Sequence, residues 1–260
     1  MIDALYISAS GLRSEQKQID VISNNVANMQ TPGFKRSRVN FADVASPETP
    51  LANATADAAT APENVRVGGT RVVSTLAQFE QGEMRLTNNP LDLAIDGVGL
   101  FELERDDGSL VYTRDGQFRL DGDGVLRSMQ GLRLANAPQV PLEATDVRVS
   151  GAGELSVLMP GDAERTVLGT IELATFAAAD ELVSAGDNQF ASSAQAGAAS
   201  YAVPGEAGSG KLRQGSVEMA NVEMIDEMSS LVLAQRAYQL NARVLQAADQ
   251  VLETINNLRR

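Results

Sequence analysis

The chain has 260 residues, enough for one large domain or two smaller ones, and its 43% hydrophobic content is ample for a core. It contains no Cys, His or Trp, which removes the usual general base, the usual thiol nucleophile and nearly every zinc, copper or haem ligand set. Asp plus Glu outnumber Lys plus Arg by 34 to 21, a net charge of −13 that argues against nucleic acid or an anionic membrane as partner.

Taken in order, residues 2–29 carry Leu5, Leu12, Ile19 and Val26 at seven-residue spacing, with Ile22 and Met29 on the adjoining ridge. This predicts an N-terminal helix. Met1-Ile2-Asp3 lacks a basic n-region and no apolar run reaches the length of a membrane span, so neither a cleaved secretory signal nor membrane insertion is expected. Gly11, the helix's single glycine, costs about 1 kcal/mol against Ala and is expected to mark a close helix crossing. Thr31-Pro32-Gly33 should end the helix, because the residue before proline is pushed out of the α region and Gly33 can take a positive φ.

Beyond Phe34-Lys35-Arg36, the segment Ala45 to Asn64 is almost wholly Ala, Thr, Pro, Asn and acids and reads as an extended or disordered linker. Strand signals follow. Val65, Val67, Val72 and Val73 form one β-prone run, and Leu91 to Leu103 another, split at Asp96-Gly97-Val98-Gly99. Asp107-Gly108, Asp115-Gly116 and Asp121-Gly122-Asp123-Gly124 read as the turns of successive hairpins. Further strands are expected over residues 131–135, 146–149, 154–159 and 166–176. Ala191 to Gly210, dominated by Ala, Ser and Gly, reads as a flexible joint.

After Gly215 there is no Gly and no Pro, and Val217, Met224, Leu231, Tyr238, Leu245 and Leu252 recur every seven residues. Ala220, Ala234, Ala248 and Ile255 fall three residues behind members of that series. This predicts one long helix with an a/d seam, reaching roughly 60 to 65 Å at 1.5 Å per residue. Glu227 and Asn241 occupy seam positions, and Val222, Ile225, Met228, Val232, Val244, Val251 and Leu258 add a second apolar face. Two readings stand side by side for both helices: ordinary helices packed on their own domain, or assembly helices whose apolar faces exceed what one copy covers.

No catalytic constellation emerges. Asp121-x-Asp123-Gly124 lacks the Gly and Glu positions of a calcium loop, and Gly97-x-Gly99 lacks the third glycine and the following helix of a dinucleotide fingerprint. Asp106 and Asp107 sit in an expected turn, where solvated carboxylates are the rule. The alternatives from other classes are a carbohydrate-cleaving enzyme with two converging carboxylates, and a small coiled-coil adaptor.

Ile19-Asp20-Val21-Ile22-Ser23-Asn24-Asn25-Val26-Ala27-Asn28, followed by Thr31-Pro32-Gly33-Phe34-Lys35, resembles the N-terminal signature of the bacterial flagellar rod and hook proteins. Leu91 to Phe101 and Tyr112-Thr113-Arg114-Asp115-Gly116 look like the motifs that open that family's β domain, and Asn221-Val222 with Gln235-Arg236-Ala237-Tyr238 is similar to its C-terminal motif. Length and the long linker resemble the distal rod members more than the proximal ones. The resemblance implies a non-enzymatic subunit of the basal-body rod in the periplasm, without cofactor or metal. It would be exported by the flagellar type III apparatus and polymerised with itself. Its other implied partners are the remaining rod proteins, the hook protein and the surrounding P- and L-ring proteins.

The expected fold is α+β, with terminal helices in a coiled-coil-like layer and a β-rich middle domain inserted between them. Residues 1–33 and 214–260 form the helical assembly part, 34–78 an extended linker/β segment and 79–213 the β-rich outer domain. The expected assembly interface comprises Leu5, Leu12, Ile19, Asn24, Asn25, Val26, Asn28, Met224, Leu231, Gln235, Arg236, Tyr238, Leu245 and Leu252. Pro47, Pro50 and Leu51 are the expected contacts of a linker that stiffens the assembly.

Overall fold

The computed structural model describes residues 2–46, 66–161 and 164–258. Pro47, Pro50 and Leu51 therefore lie outside the described residues, whereas Ala45 and Ser46, read as linker, end a strand. The architecture is α+β: an N-terminal helix α1 (Ile2–Ala27), a C-terminal helix α2 (Met224–Leu258), and a β-rich middle. By contact density the chain forms two compact units. A helical unit comprises Met1–Asn24, Arg38–Thr75 and Met224–Arg260; a β unit comprises Asn25–Ser37 and Leu76–Glu223.

In the helical unit, β1 (Ser37–Ser46) pairs with β2 (Arg66–Ala77). The Thr70 N–H donates to the Ser10 Oγ at 3.2 Å, which lays β2 against α1. Gly11, the single glycine of α1, marks the expected close crossing: a Cβ there would sit 2.9 Å from Asn241 Nδ2 of α2. The covered positions of α2 include Glu227, Leu231, Ala234, Asn241, Leu245, Ala248 and Leu252, whereas the expected seam positions Met224 and Tyr238 are exposed.

α2 is shorter than its heptads implied. At 35 residues it spans roughly 50 Å, and it starts at Met224 because the preceding segment is consumed by sheet pairing. There β17 (Lys211–Gln214) and β18 (Ser216–Glu218) flank Gly215, which sits at φ +73°. Val217 keeps the seven-residue spacing but is a fully buried strand residue of the β unit. Two neighbouring turns of apolar spacing cannot outbid a strand partner elsewhere in the chain.

The β unit opens with β3 (Met84–Leu86) and β4 (Leu93–Asp96), which pair with β18 and β17 respectively. Next come β5 (Phe101–Glu104), β6 (Leu110–Thr113), β7 (Phe118–Leu120), β8 (Leu126–Ser128) and β9 (Arg133–Leu134). With β14 (Val183–Gly186) and β15 (Gln189–Ala191) they form a seven-stranded sheet in the order β14-β15-β6-β5-β9-β8-β7. A second sheet joins β10 (Asp146–Val149), β11 (Glu154–Leu158) and β12 (Thr166–Thr170). Finally β13 (Leu173–Thr175) pairs with β16 (Ser200–Ala202).

The main core gathers Leu93, Ile95, Phe101, Leu103, Leu155 and Leu173, each 2% exposed or less, with their neighbours. Each such side chain contributes on the order of 2 kcal/mol by leaving water. Phe101 and Phe118 meet edge to face, with ring centroids 5.1 Å apart.

Two local readings change in three dimensions. Asp107-Gly108 and Asp121 to Gly124 do turn hairpins, β5–β6 and β7–β8, but Asp115-Gly116 does not, because β6 and β7 are separated in the sheet. Gly116 instead lets the chain cross β4: its carbonyl accepts from the Leu93 N–H at 2.9 Å, and a Cβ would lie 1.6 Å from the Leu93 oxygen. Likewise Ala191 to Gly210 is not a free joint. β16 lies within it, Ala196 is wholly buried, and the Ser193 Oγ accepts from the Ala196 N–H at 3.0 Å. Small residues there fit a tight sheet edge, a use that composition alone does not distinguish from flexibility.

Candidate functional site

Two features bear on function, the surface of α2 in the helical unit and a buried charge cluster in the β unit. On α2 the second apolar face stands in water: Ile225 is 74% exposed, and Met228, Val232, Val244 and Val251 are about half exposed. Leu233 and Leu240, 66% and 62% exposed and seven residues apart, form a further apolar line that the sequence reading did not single out. A single-chain helix with this much apolar surface outside its own packing is built for a partner.

The expected interface residues fall into three groups. Leu5, Leu12, Ile19, Val26, Asn28, Leu231, Leu245 and Leu252 are half-buried within the chain. Asn24, Met224, Gln235, Arg236 and Tyr238 are exposed. Asn25 is buried, and its side-chain amide donates to the Ser37 carbonyl and accepts from the Ser37 N–H, each at 3.0 Å. It thus ties down the turn after α1.

The charge cluster centres on Glu218 at the end of β18, 1% exposed. Pairing with β3 sets Glu218 opposite Met84, and its carbonyl accepts from the Gly33 N–H at 2.7 Å. Glu218 Oε1 accepts from Lys35 Nζ at 2.6 Å and from the Gly82 N–H at 2.8 Å; Oε2 accepts from Arg114 Nε at 2.5 Å. Lys35 Nζ also donates to the Glu80 carbonyl at 2.6 Å. The Arg114 terminal nitrogens donate to the carbonyls of Ile95 at 3.0 Å, Gly97 at 2.6 Å, and Gly99. The Gly97-x-Gly99 pattern is therefore a carbonyl cradle for a guanidinium. Gly33 stands at φ +69° with no room for a side chain, since a Cβ would meet the Asp115 nitrogen at 2.4 Å.

Burial pushes the Lys35 ammonium below its ordinary range, while the Glu218 carboxylate pulls it back up. Asn221 extends the network: its Oδ1 accepts from the Arg36 N–H at 2.7 Å, and its Nδ2 donates to the carbonyls of Gln78 at 2.8 Å and Glu80 at 3.1 Å. Lys35, Arg114 and Asn221 lie in segments quoted above for their resemblance, but their convergence on Glu218 was not legible. The available signal was the alternation Ser216-Val217-Glu218-Met219 directly after a glycine, a strand pattern overridden by the heptad count.

Asp115 borders this junction, and burial, reinforced by the nearby Asp92 carboxylate against a bond from the Gln117 N–H, raises its pKa to about 6. The folded chain therefore holds a proton between about pH 4 and 6 that the unfolded chain releases. This contribution to stability is complete below the unfolded pKa and is lost as pH rises through 6. Asp115→Asn should remove that falling component, so urea midpoints of variant and parent should diverge in the variant's favour from pH 4.5 to 6.5. Parallel curves would refute it.

Buried charges that are spent on closing the β unit, together with an apolar helix surface left outside, define a structural assembly protein. Comparison with known proteins specifies the kind. Three family models match in chain order: "Flagella basal body rod protein" over residues 5–35, "Flagellar hook protein FlgE/F/G D1 domain" over 94–157, and "Flagellar basal body rod FlgEFG protein C-terminal" over 213–258. Flagellar basal-body rod protein FlgG of Caulobacter vibrioides is 38% identical over 99% of this chain and 100% of its own. The FlgG proteins of Borreliella burgdorferi and Bacillus subtilis are 37% and 35% identical, each over the full length of both chains.

The chain belongs to this family of flagellar basal-body rod proteins and is most like FlgG, the distal rod protein. It is a structural subunit of the flagellar basal body and not an enzyme. No helix among the described residues is long and apolar enough to cross a membrane.

Proposed function

We propose that this subunit polymerises through α1 and α2 into the distal part of a hollow rod, with the two helices in a coiled-coil-like layer shared among copies. The observation that carries the reading is the exposed apolar surface of α2, from Ile225 through Leu233 and Leu240 to Val251. Repetition of one contact along a helical array would cover that surface on every copy. The seam supports register: Asn241 against Gly11 and the buried Glu227 are polar positions in an apolar line, the usual means of fixing alignment between helices. Export by the flagellar type III apparatus, and contacts with the other rod proteins, the hook protein and the P- and L-ring proteins, belong to the same proposal.

The test is sedimentation of the purified chain over a concentration series, with negative-stain micrographs and hydrogen exchange on both species. Polymer should appear as straight tubes above a threshold concentration, and α2 amides should exchange more slowly in the tubes than in the dilute chain. A fixed small species at every concentration would instead favour a local coiled-coil adaptor.

A further inference from the structure

The charge of this protein is divided unequally between its two units. Of its 34 acids and 21 bases, 23 acids and 12 bases belong to the β unit, which therefore carries −11 of the net −13. The helical unit, with the remaining 11 acids and 9 bases, is nearly neutral at −2. The imbalance is sharper on the surface: among the described residues of the β unit, 17 acids are exposed against 7 bases. Three exposed or half-exposed pairs, Arg127 with Asp121, Arg133 with Glu104 and Arg165 with Asp146, neutralise only part of it.

We propose that the acidic shell of the β unit makes copies repel one another and so sets an ionic-strength threshold for assembly through the neutral helical unit. This rests on the assembly reading above and adds its regulation. The physical reasoning is direct. Apolar burial on α1 and α2 is insensitive to moderate salt, whereas like charges on neighbouring copies interact over a Debye length of about 30 Å at 0.01 M and about 8 Å at 0.15 M. At low salt every added copy meets the field of those already placed; at physiological salt that field has collapsed to contact range. The same repulsion opposes side-by-side association of finished assemblies through their β units.

The experiment measures the critical concentration for polymerisation of the full chain at 10, 50, 150 and 500 mM NaCl. It should fall by at least about tenfold up to 150 mM and change less than about twofold beyond, because screening is largely complete there. Strengthened apolar contact alone would instead give a steady decline across the whole range. A few millimolar MgCl2 at 10 mM NaCl should substitute for much of the monovalent salt.

The companion variant carries Asp106→Asn, Asp123→Asn, Glu143→Gln, Glu154→Gln, Glu172→Gln and Glu206→Gln. All six side chains are exposed and make none of the described hydrogen bonds, so the fold should be retained. Its critical concentration at 10 mM should lie several-fold below the parent's, with a flattened salt profile. Polymer whose threshold ignores salt, or a variant with the parent's profile, would overturn this inference while leaving the assembly reading intact. No polymer at any salt would overturn both.

Discussion

Glu218→Gln should lower the thermal midpoint of the β unit by on the order of 10 °C. The substitution preserves shape but turns one of the two accepting oxygens into an NH2 donor, which then faces either Arg114 Nε or the pair Lys35 Nζ and Gly82 N–H, all of them donors. It leaves two cations, 2% and 5% exposed, with no anion between them. Removing one partner of a buried ion pair costs about 3–5 kcal/mol, and about 2–4 °C of midpoint follow each kcal/mol in a unit of this size. Lys35→Met added to Glu218→Gln should recover part of the loss, since an apolar side chain carries no desolvation cost. Calorimetry on parent, single and double variants decides it. A shift under about 2 °C for the single variant would mean that the cluster contributes little to closing the unit.

The double variant Leu233→Asp, Leu240→Asp should abolish assembly while leaving both units folded. In the free chain these side chains stand 66% and 62% in water, so the changes should move the melt by less than about 1 kcal/mol, mostly through helix propensity. In a packed helical layer each would bury an unpaired carboxylate at a cost of several kcal/mol, raising the threshold for polymer formation at least a hundredfold. Sedimentation with matched melting curves separates the two effects. Polymer at the parent's threshold would show that this face of α2 stays solvated in the rod, and would move the interface to the Ile225, Met228 and Val232 face.

These variants bracket a division of labour. Glu218 brings the Thr31 to Lys35 segment, the β4–β5 loop and the strand before α2 into one unit, which accounts for motifs so far apart in the chain occurring together. The residues exposed on α2 belong to the other unit. An assembly subunit needs both: a part that closes on itself and a surface that does not.

What the sequence by itself determined was local. Heptad spacing specified α1 and most of α2, because side chains three and four apart share a helix face whatever else the chain does. Asp107-Gly108 and Asp121 to Gly124 specified their hairpins, since Gly108 and Gly124 take the positive φ those turns demand. The strands at 146–149 and 154–159 were legible from alternation, matching β10 and β11 within a residue.

Tertiary structure alone decided where α2 begins, what Ala191 to Gly210 does, and which residues meet Glu218. Ser216–Glu218 became a strand because β3, 130 residues earlier, offers Met84 to Leu86 as a partner. β16 is ordered by β13 in the same way. Lys35 and Arg114 lie 183 and 104 residues from Glu218. Nothing in the neighbourhood of any one of them encodes the others, because the energy that holds a buried charge comes from groups which only the folded chain brings within 3 Å.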